Sequence, residues 1–154
     1  MDHLLNSKGN IMEIIPDTLL FMQKKVNKKE ALKSNFIGLF FSAGWCPSCR
    51  VFLSLLMNFY KEVNKNEKEI EIIFNSFDED IESFREHYQR MPWLAVPFED
   101  PSREYIGKEY GVSGIPYLII FDKNGKLIEK SARMTIQNKG LASLSLWKAK
   151  AEAL

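Results

Sequence analysis

The chain has 154 residues, 45% hydrophobic and 27% charged, with 21 basic side chains against 20 acidic ones and a formal net charge of +1. That length suits one domain, able to bury roughly 68–70% of its unfolded surface without a disulfide staple or a structural metal. The near-neutral balance argues against a general nucleic-acid or membrane-surface binder, and no apolar run is long enough for a transmembrane helix.

Residues 1–17 read as a loose lead-in, with an apolar patch at Ile11, Ile14 and Ile15 closed by Pro16. The stretch carries Asp2 and Glu13 and no apolar core segment, so it does not resemble a secretory signal or an Arg-rich transit peptide. The expected compartment is therefore reducing, cytoplasmic or nuclear, and the expected domain is 18–154. Leu19 to Met22 is a short strand candidate, and the basic run Lys24 to Lys33 reads as a solvated turn. Phe36 to Phe41 is continuously apolar, as in a strand buried on both faces.

Helical spacing starts after Cys49, where Phe52, Leu55, Leu56, Phe59 and Val63 mark one apolar face. Ile70 to Phe74 is the next buried strand, and Ile81, Phe84 and Tyr88 make a second helical stripe. Pro92 and Pro97 bound an irregular stretch, Met91 to Asp100. Ser102 to Tyr110 reads as a short helix with Ser102 as N-cap. Tyr117 to Phe121 is a strand, Asn124-Gly125 signals a hairpin, and Lys126 to Lys130 returns antiparallel. Leu141, Leu144 and Trp147 suggest a final helix. Alternating strands and helices imply an α/β fold, and the closing hairpin makes its sheet mixed.

The two cysteines fall together in Cys46-Pro47-Ser48-Cys49. In a reducing compartment such a pair is catalytic or metal-binding more often than structural. Zinc would need about four ligands, and only His3 and His87 remain to join the two thiols. A c-type haem attachment wants His where Arg50 stands. Two inert core cysteines remain the bland alternative. The redox reading has a mechanism: Pro47 suits the first helical position, which makes Cys46 the N-cap, where N–H groups and the helix dipole favour a thiolate. Arg50 adds a nearby cation. Cys49 lies one turn in, more covered, as suits a resolving thiol. Gly114-Ile115-Pro116 precedes a buried strand. It reads either as a strand-start proline or, beside a strand–CxxC–helix unit, as a cis Ile115–Pro116 bond facing the thiols.

The chain resembles the tryparedoxin and nucleoredoxin branch of the thioredoxin-like superfamily. The resemblance rests on Phe41-Ser42-Ala43-Gly44-Trp45-Cys46-Pro47-Ser48-Cys49-Arg50, Phe77-Asp78-Glu79, Met91-Pro92-Trp93-Leu94-Ala95-Val96-Pro97-Phe98 and Gly114-Ile115-Pro116. It implies a thioredoxin-like fold, a central mixed β-sheet with helices on both faces. It implies a dithiol–disulfide cycle without a bound cofactor, with Cys46 attacking and Cys49 resolving; the shortage of ligands leaves no metal expected. Trp45, Pro47, Ser48, Arg50 and Pro116 would support that site, and Ile115, Asp78, Glu79 and Arg133 would help bind substrate.

Three positions depart from the pattern. Pro47-Ser48 replaces the usual Pro-Pro, and Phe77 stands where tryparedoxins carry Trp. Phe40 occupies the place of the buried Asp of thioredoxins, so no carboxylate there can accept a proton. The expected partners are protein disulfides of the peroxiredoxin type as acceptors. A low-molecular-weight dithiol, glutathione or a reductase would be the electron donor. The protein is expected to be a monomer with no nucleic-acid or membrane partner. The alternative is a nucleoredoxin-like redox-sensing module that regulates a signalling partner.

Overall fold

The computed structural model describes residues 10–154; His3 lies outside the described residues. Among the described residues seven strands form one mixed sheet: β1 (Thr18–Phe21), β2 (Lys24–Asn27), β3 (Phe36–Ser42), β4 (Ile70–Ser76), β5 (Leu94–Ala95), β6 (Tyr117–Asp122) and β7 (Leu127–Glu129). Their order across the sheet is β2-β1-β5-β4-β3-β6-β7. The pairs β3–β4 and β4–β5 are parallel, and the others are antiparallel. Among the described residues there are also six α-helices, α1 (Lys28–Ala31), α2 (Pro47–Val63), α3 (Ile81–Tyr88), α4 (Ser102–Glu109), α5 (Ala132–Lys139) and α6 (Ser143–Glu152), and two 3-10 turns, Ile11–Glu13 and Gly140–Ala142. This is the expected thioredoxin-like α/β architecture.

Side-chain alternation divides the core in two, because successive strand residues point to opposite faces. Phe36, Phe40, Ile72, Phe74, Leu118 and Ile120 meet α2, α3, α5 and α6 on one face. Ile37, Leu39, Phe41, Ile73, Ile119 and Phe121 meet α4 and the segment before β1 on the other. The central strands β3 and β6 are thus apolar on both sides through Phe41 and Phe121, which is why they read as unbroken runs, whereas β4 carries buried Glu71 within its run. The long helix α2 ends at Asn64, whose side chain accepts the backbone N–H groups of Glu69 and Ile70 and so fixes the return into β4.

Several elements differ from expectation. Ile11, Ile14 and Ile15 are buried rather than loose, and Asn10 bridges to Lys126. The run Lys24 to Lys33 is strand β2 followed by α1, and Lys28 is buried, donating through Nζ to the carbonyls of Met12 and Ile15. Ser102 is the first residue of α4 rather than its cap; its N–H and hydroxyl donate to Asp100 Oδ1. A helix, α5, lies between the hairpin and the final helix. Within Met91 to Asp100, two residues form β5, the link between the β1–β2 ribbon and the parallel centre. Trp93 and Ala95 enter one core layer there and Leu94 and Val96 the other, so this segment packs the interior. The Tyr88 hydroxyl holds it by donating to the Trp93 carbonyl at 2.6 Å.

Candidate active site

The loop Ala43–Trp45 joins the end of β3 to the start of α2 and delivers Cys46 to the helix N-terminus. Cys46 is the N-cap, with extended backbone, and Pro47 follows as the first helical residue. Proline fits there because the first turn has no internal acceptor for an N–H. The Cys49 backbone N–H donates to Cys46 Sγ at 3.3 Å, and Ser48 Oγ lies 3.3 Å from the same sulfur. The two thiols are not joined in a disulfide. Cys46 is 6% exposed and Cys49 wholly covered, while Trp45 beside them is 59% exposed. The Cys46 N–H donates to the Ala43 carbonyl at 3.3 Å.

These surroundings push the two thiols apart. Burial pushes Cys46 up, but hydrogen bonds from the side chains and N–H groups of Cys49 and Ser48 outweigh it, and the thiol titrates below its ordinary value. Burial also dominates at Cys49, reinforced by the hydrogen bond and charge of Cys46. The Ala43 N–H and the Ser42 hydroxyl oppose it only in part, and the thiol is pushed up to about 11.

The Ile115–Pro116 peptide is cis, and the Ile115 carbonyl lies 3.9 Å from Cys46 Sγ. Ile115 is half-buried and Pro116 buried. Arg133, at the start of α5, is half-buried. Its Nη1 donates to the Pro116 carbonyl at 3.3 Å, and its buried Nε has no protein partner. Glu79 is exposed on the same loop that carries Asp78, but Asp78 is only 2% exposed. Asp78 accepts the Gly44 N–H at 2.9 Å and the Ser76 hydroxyl at 2.7 Å. Arg50 turns away from the thiols and donates to the Gly44 carbonyl at 2.7 Å; the groups that lower the Cys46 thiol are those of Ser48 and Cys49.

Two further side chains belong to this neighbourhood. Ser42, the last residue of β3, shares a 2.7 Å hydrogen bond with His87 Nε2 from α3, and both residues are buried. His87 stands three residues after Phe84, on the apolar face of its helix. That placement was the available signal, but nothing local ties it to a serine 45 positions earlier. Among the described residues, no three His, Cys, Asp or Glu side chains gather as a metal cluster. No described helix is long and apolar enough to cross a membrane.

The sequence model of the thioredoxin-like family matches residues 34–127. Nucleoredoxin of Danio rerio is 36% identical over 136 residues, covering 88% of this chain and 32% of that protein. The chain thus spans about a third of the length of that relative. Tryparedoxin of Trypanosoma brucei is 39% identical over 108 residues, covering 69% of this chain and 74% of that protein. A solved tryparedoxin structure from Trypanosoma brucei superposes with a TM-score of 0.80 at 31% identity, covering 89% of this chain and 96% of the other. Tryparedoxin II complexed with glutathionylspermidine superposes with a TM-score of 0.75 at 31% identity, covering 82% and 89%.

Proposed function

The chain belongs to the tryparedoxin and nucleoredoxin branch of the thioredoxin-like family, and from that premise we propose a thiol–disulfide oxidoreductase in which Cys46 attacks and Cys49 resolves. One observation carries the assignment of roles. Within a single motif the thiol at the helix N-cap accepts the Cys49 N–H at 3.3 Å and is pushed down, while its partner one turn in is wholly covered and pushed up. Attack on a disulfide needs a thiolate that forms readily, and resolution needs a second thiol sheltered from competing reactions.

In the forward cycle the Cys46 thiolate attacks one sulfur of a substrate disulfide and a mixed disulfide forms. Cys49 then displaces the substrate, leaving a Cys46–Cys49 disulfide that a donor must reduce. Protein disulfides of the peroxiredoxin type are the proposed acceptors, docking over exposed Trp45 and the Ile115 edge. A low-molecular-weight dithiol is the proposed donor. The likeness to a tryparedoxin complexed with glutathionylspermidine supports that class, and exposed Glu79 offers a carboxylate to a cationic linker.

Catalysed insulin reduction with dithiothreitol as donor tests the reading. The wild type is expected to turn over many equivalents, Cys46→Ser none. Cys49→Ser is expected to accumulate mixed disulfides with insulin chains. Turnover by Cys49→Ser at the wild-type rate would sink the role assignment. A single stoichiometric reaction in the wild type would favour a redox-sensing module instead.

A further inference from the structure

Resolution requires Cys49 as a thiolate, yet its thiol is wholly buried and raised to about 11. Burial is the largest cause of that rise and persists when Cys46 is in the mixed disulfide, so a base is needed to take the proton as the step proceeds. The strand beneath the pair offers none at Phe40, whose ring packs edge-on against Trp93 and beside Phe52. The side chain that stabilises the Cys49 thiolate is the Ser42 hydroxyl, and Ser42 is paired at 2.7 Å with His87 Nε2.

We propose that Ser42 and His87 form a proton relay that takes the Cys49 proton while the mixed disulfide on Cys46 is resolved. The proposal rests on the dithiol cycle above. The Cys49 S–H bond breaks and its proton passes to Ser42 Oγ, whose own proton passes to His87 Nε2. The Cys49 electron pair forms the bond to Cys46 Sγ, and the Cys46–substrate S–S bond breaks. The substrate sulfur leaves as a thiolate with that bond's electron pair. The dithiol is oxidised by two electrons and the substrate disulfide is reduced by two. In this relay Ser42 exchanges its proton with the Cys49 thiol, and His87 acts through Ser42, as a positioning residue and as the store for the proton.

The setting of His87 suits that work. Burial keeps the imidazole neutral by lowering its pKa, which leaves a nitrogen free to accept, and Asp78 opposes that shift and so favours the imidazolium that forms. The other charged groups facing it are Arg50 from α2, Arg90 just after α3 and Glu86 on α3 itself. The ring is backed by Phe74, at 5.4 Å. A cleft of about 260 Å³ is lined by Gly44, Arg50, Glu86, His87 and Arg90, and in this relay it serves as the exit for the stored proton.

The test is rapid mixing of the reduced protein with excess 5,5′-dithiobis(2-nitrobenzoate). The aromatic thiolate is released in two phases. The first depends on reagent concentration and reports attack by Cys46. The second does not, and reports resolution by Cys49. In the wild type the second phase is expected to rise with pH and level off above an inflection below the ordinary histidine value of 6.5. In His87→Gln, which keeps a hydrogen-bonding group but no base, it should slow at least about tenfold at neutral pH. It should also lose the inflection, rising about tenfold per pH unit toward the ionisation of Cys49 itself. Ser42→Ala should show the same loss, and it carries the test should His87→Gln not fold. An unchanged second phase in both variants, or a wild-type second phase without the inflection, overturns the relay. A wild type without the first phase, or a first phase that persists in Cys46→Ser, defeats the dithiol reading itself.

Discussion

The Asp78 side chain accepts the backbone N–H of Gly44 at 2.9 Å, tying the loop in front of the cysteines to the residues that follow β4, 34 positions later. Its other oxygen accepts the Ser76 hydroxyl, and the residue is buried. Asp78 thus braces the loop that aims Cys46. Asp78→Ala leaves both donors without a partner in a covered site, where each unsatisfied group costs about 1–3 kcal/mol. The expected result is a stability loss of about 2–4 kcal/mol in urea denaturation, with slower Cys46 alkylation in the folded protein. A variant as stable as the wild type would show that water replaces the brace.

The Cys46 thiolate is held by groups on its own helix turn. Its rate of alkylation by iodoacetamide, followed against pH, should therefore show a midpoint below the ordinary value of 9.0. Ser48→Ala removes one donor to the sulfur and should move that midpoint upward, while Arg50→Gln, whose side chain faces the Gly44 carbonyl instead, should move it little. A wild-type midpoint at or above 9.0 would remove the N-cap account.

His87 also couples stability to pH. Burial holds its folded pKa below the ordinary 6.5, with Asp78 offsetting part of the shift. As pH falls the unfolded chain takes up this proton first, so the contribution of the neutral imidazole is fully present above 6.5. It is lost as pH falls through 6.5 toward the lower folded value. The urea midpoint of the wild type should therefore drop between neutral pH and roughly pH 5, and the drop should be smaller in His87→Gln. Equal slopes in both proteins would falsify this linkage.

Donor preference should respond only modestly to charge. Glu79 is exposed and Arg133 half-buried, and such groups are each worth about 0–1 kcal/mol. Glu79→Gln should slow reduction of the Cys46–Cys49 disulfide by a cationic dithiol less than about tenfold. Arg133→Gln should slow reduction by anionic glutathione to a similar degree. The Glu79 effect should fade as salt rises, because an exposed charge is screened, and the Arg133 effect should fade less. Unchanged rates in both variants at low salt would place donor choice in the shape around Trp45 and Pro116.

What the sequence determined by itself is local in physical origin. Cys46, Pro47 and Cys49 lie within one helical turn, so N-capping and the covering of the second thiol follow from spacing alone. The runs Phe36 to Phe41, Ile70 to Phe74 and Tyr117 to Phe121 carry their own burial pattern, and the helices with apolar stripes were legible for the same reason. Elements whose order comes from neighbours were not. Leu94-Ala95 is too short to have a period and becomes a strand only because β1 and β4 supply its hydrogen bonds. Lys28 reads as solvated until the carbonyls of Met12 and Ile15 are brought to its ammonium. Helix α5, with only Ala132 and Ile136 buried, lacks a stripe strong enough to announce itself. The folding of β3, β4 and α3 against one another sets Ser42 beside His87 and Gly44 beside Asp78, pairings separated by 45 and 34 residues. Hydrogen bonds at such separations depend on where the sheet and its helices cross, and no window of sequence contains both partners.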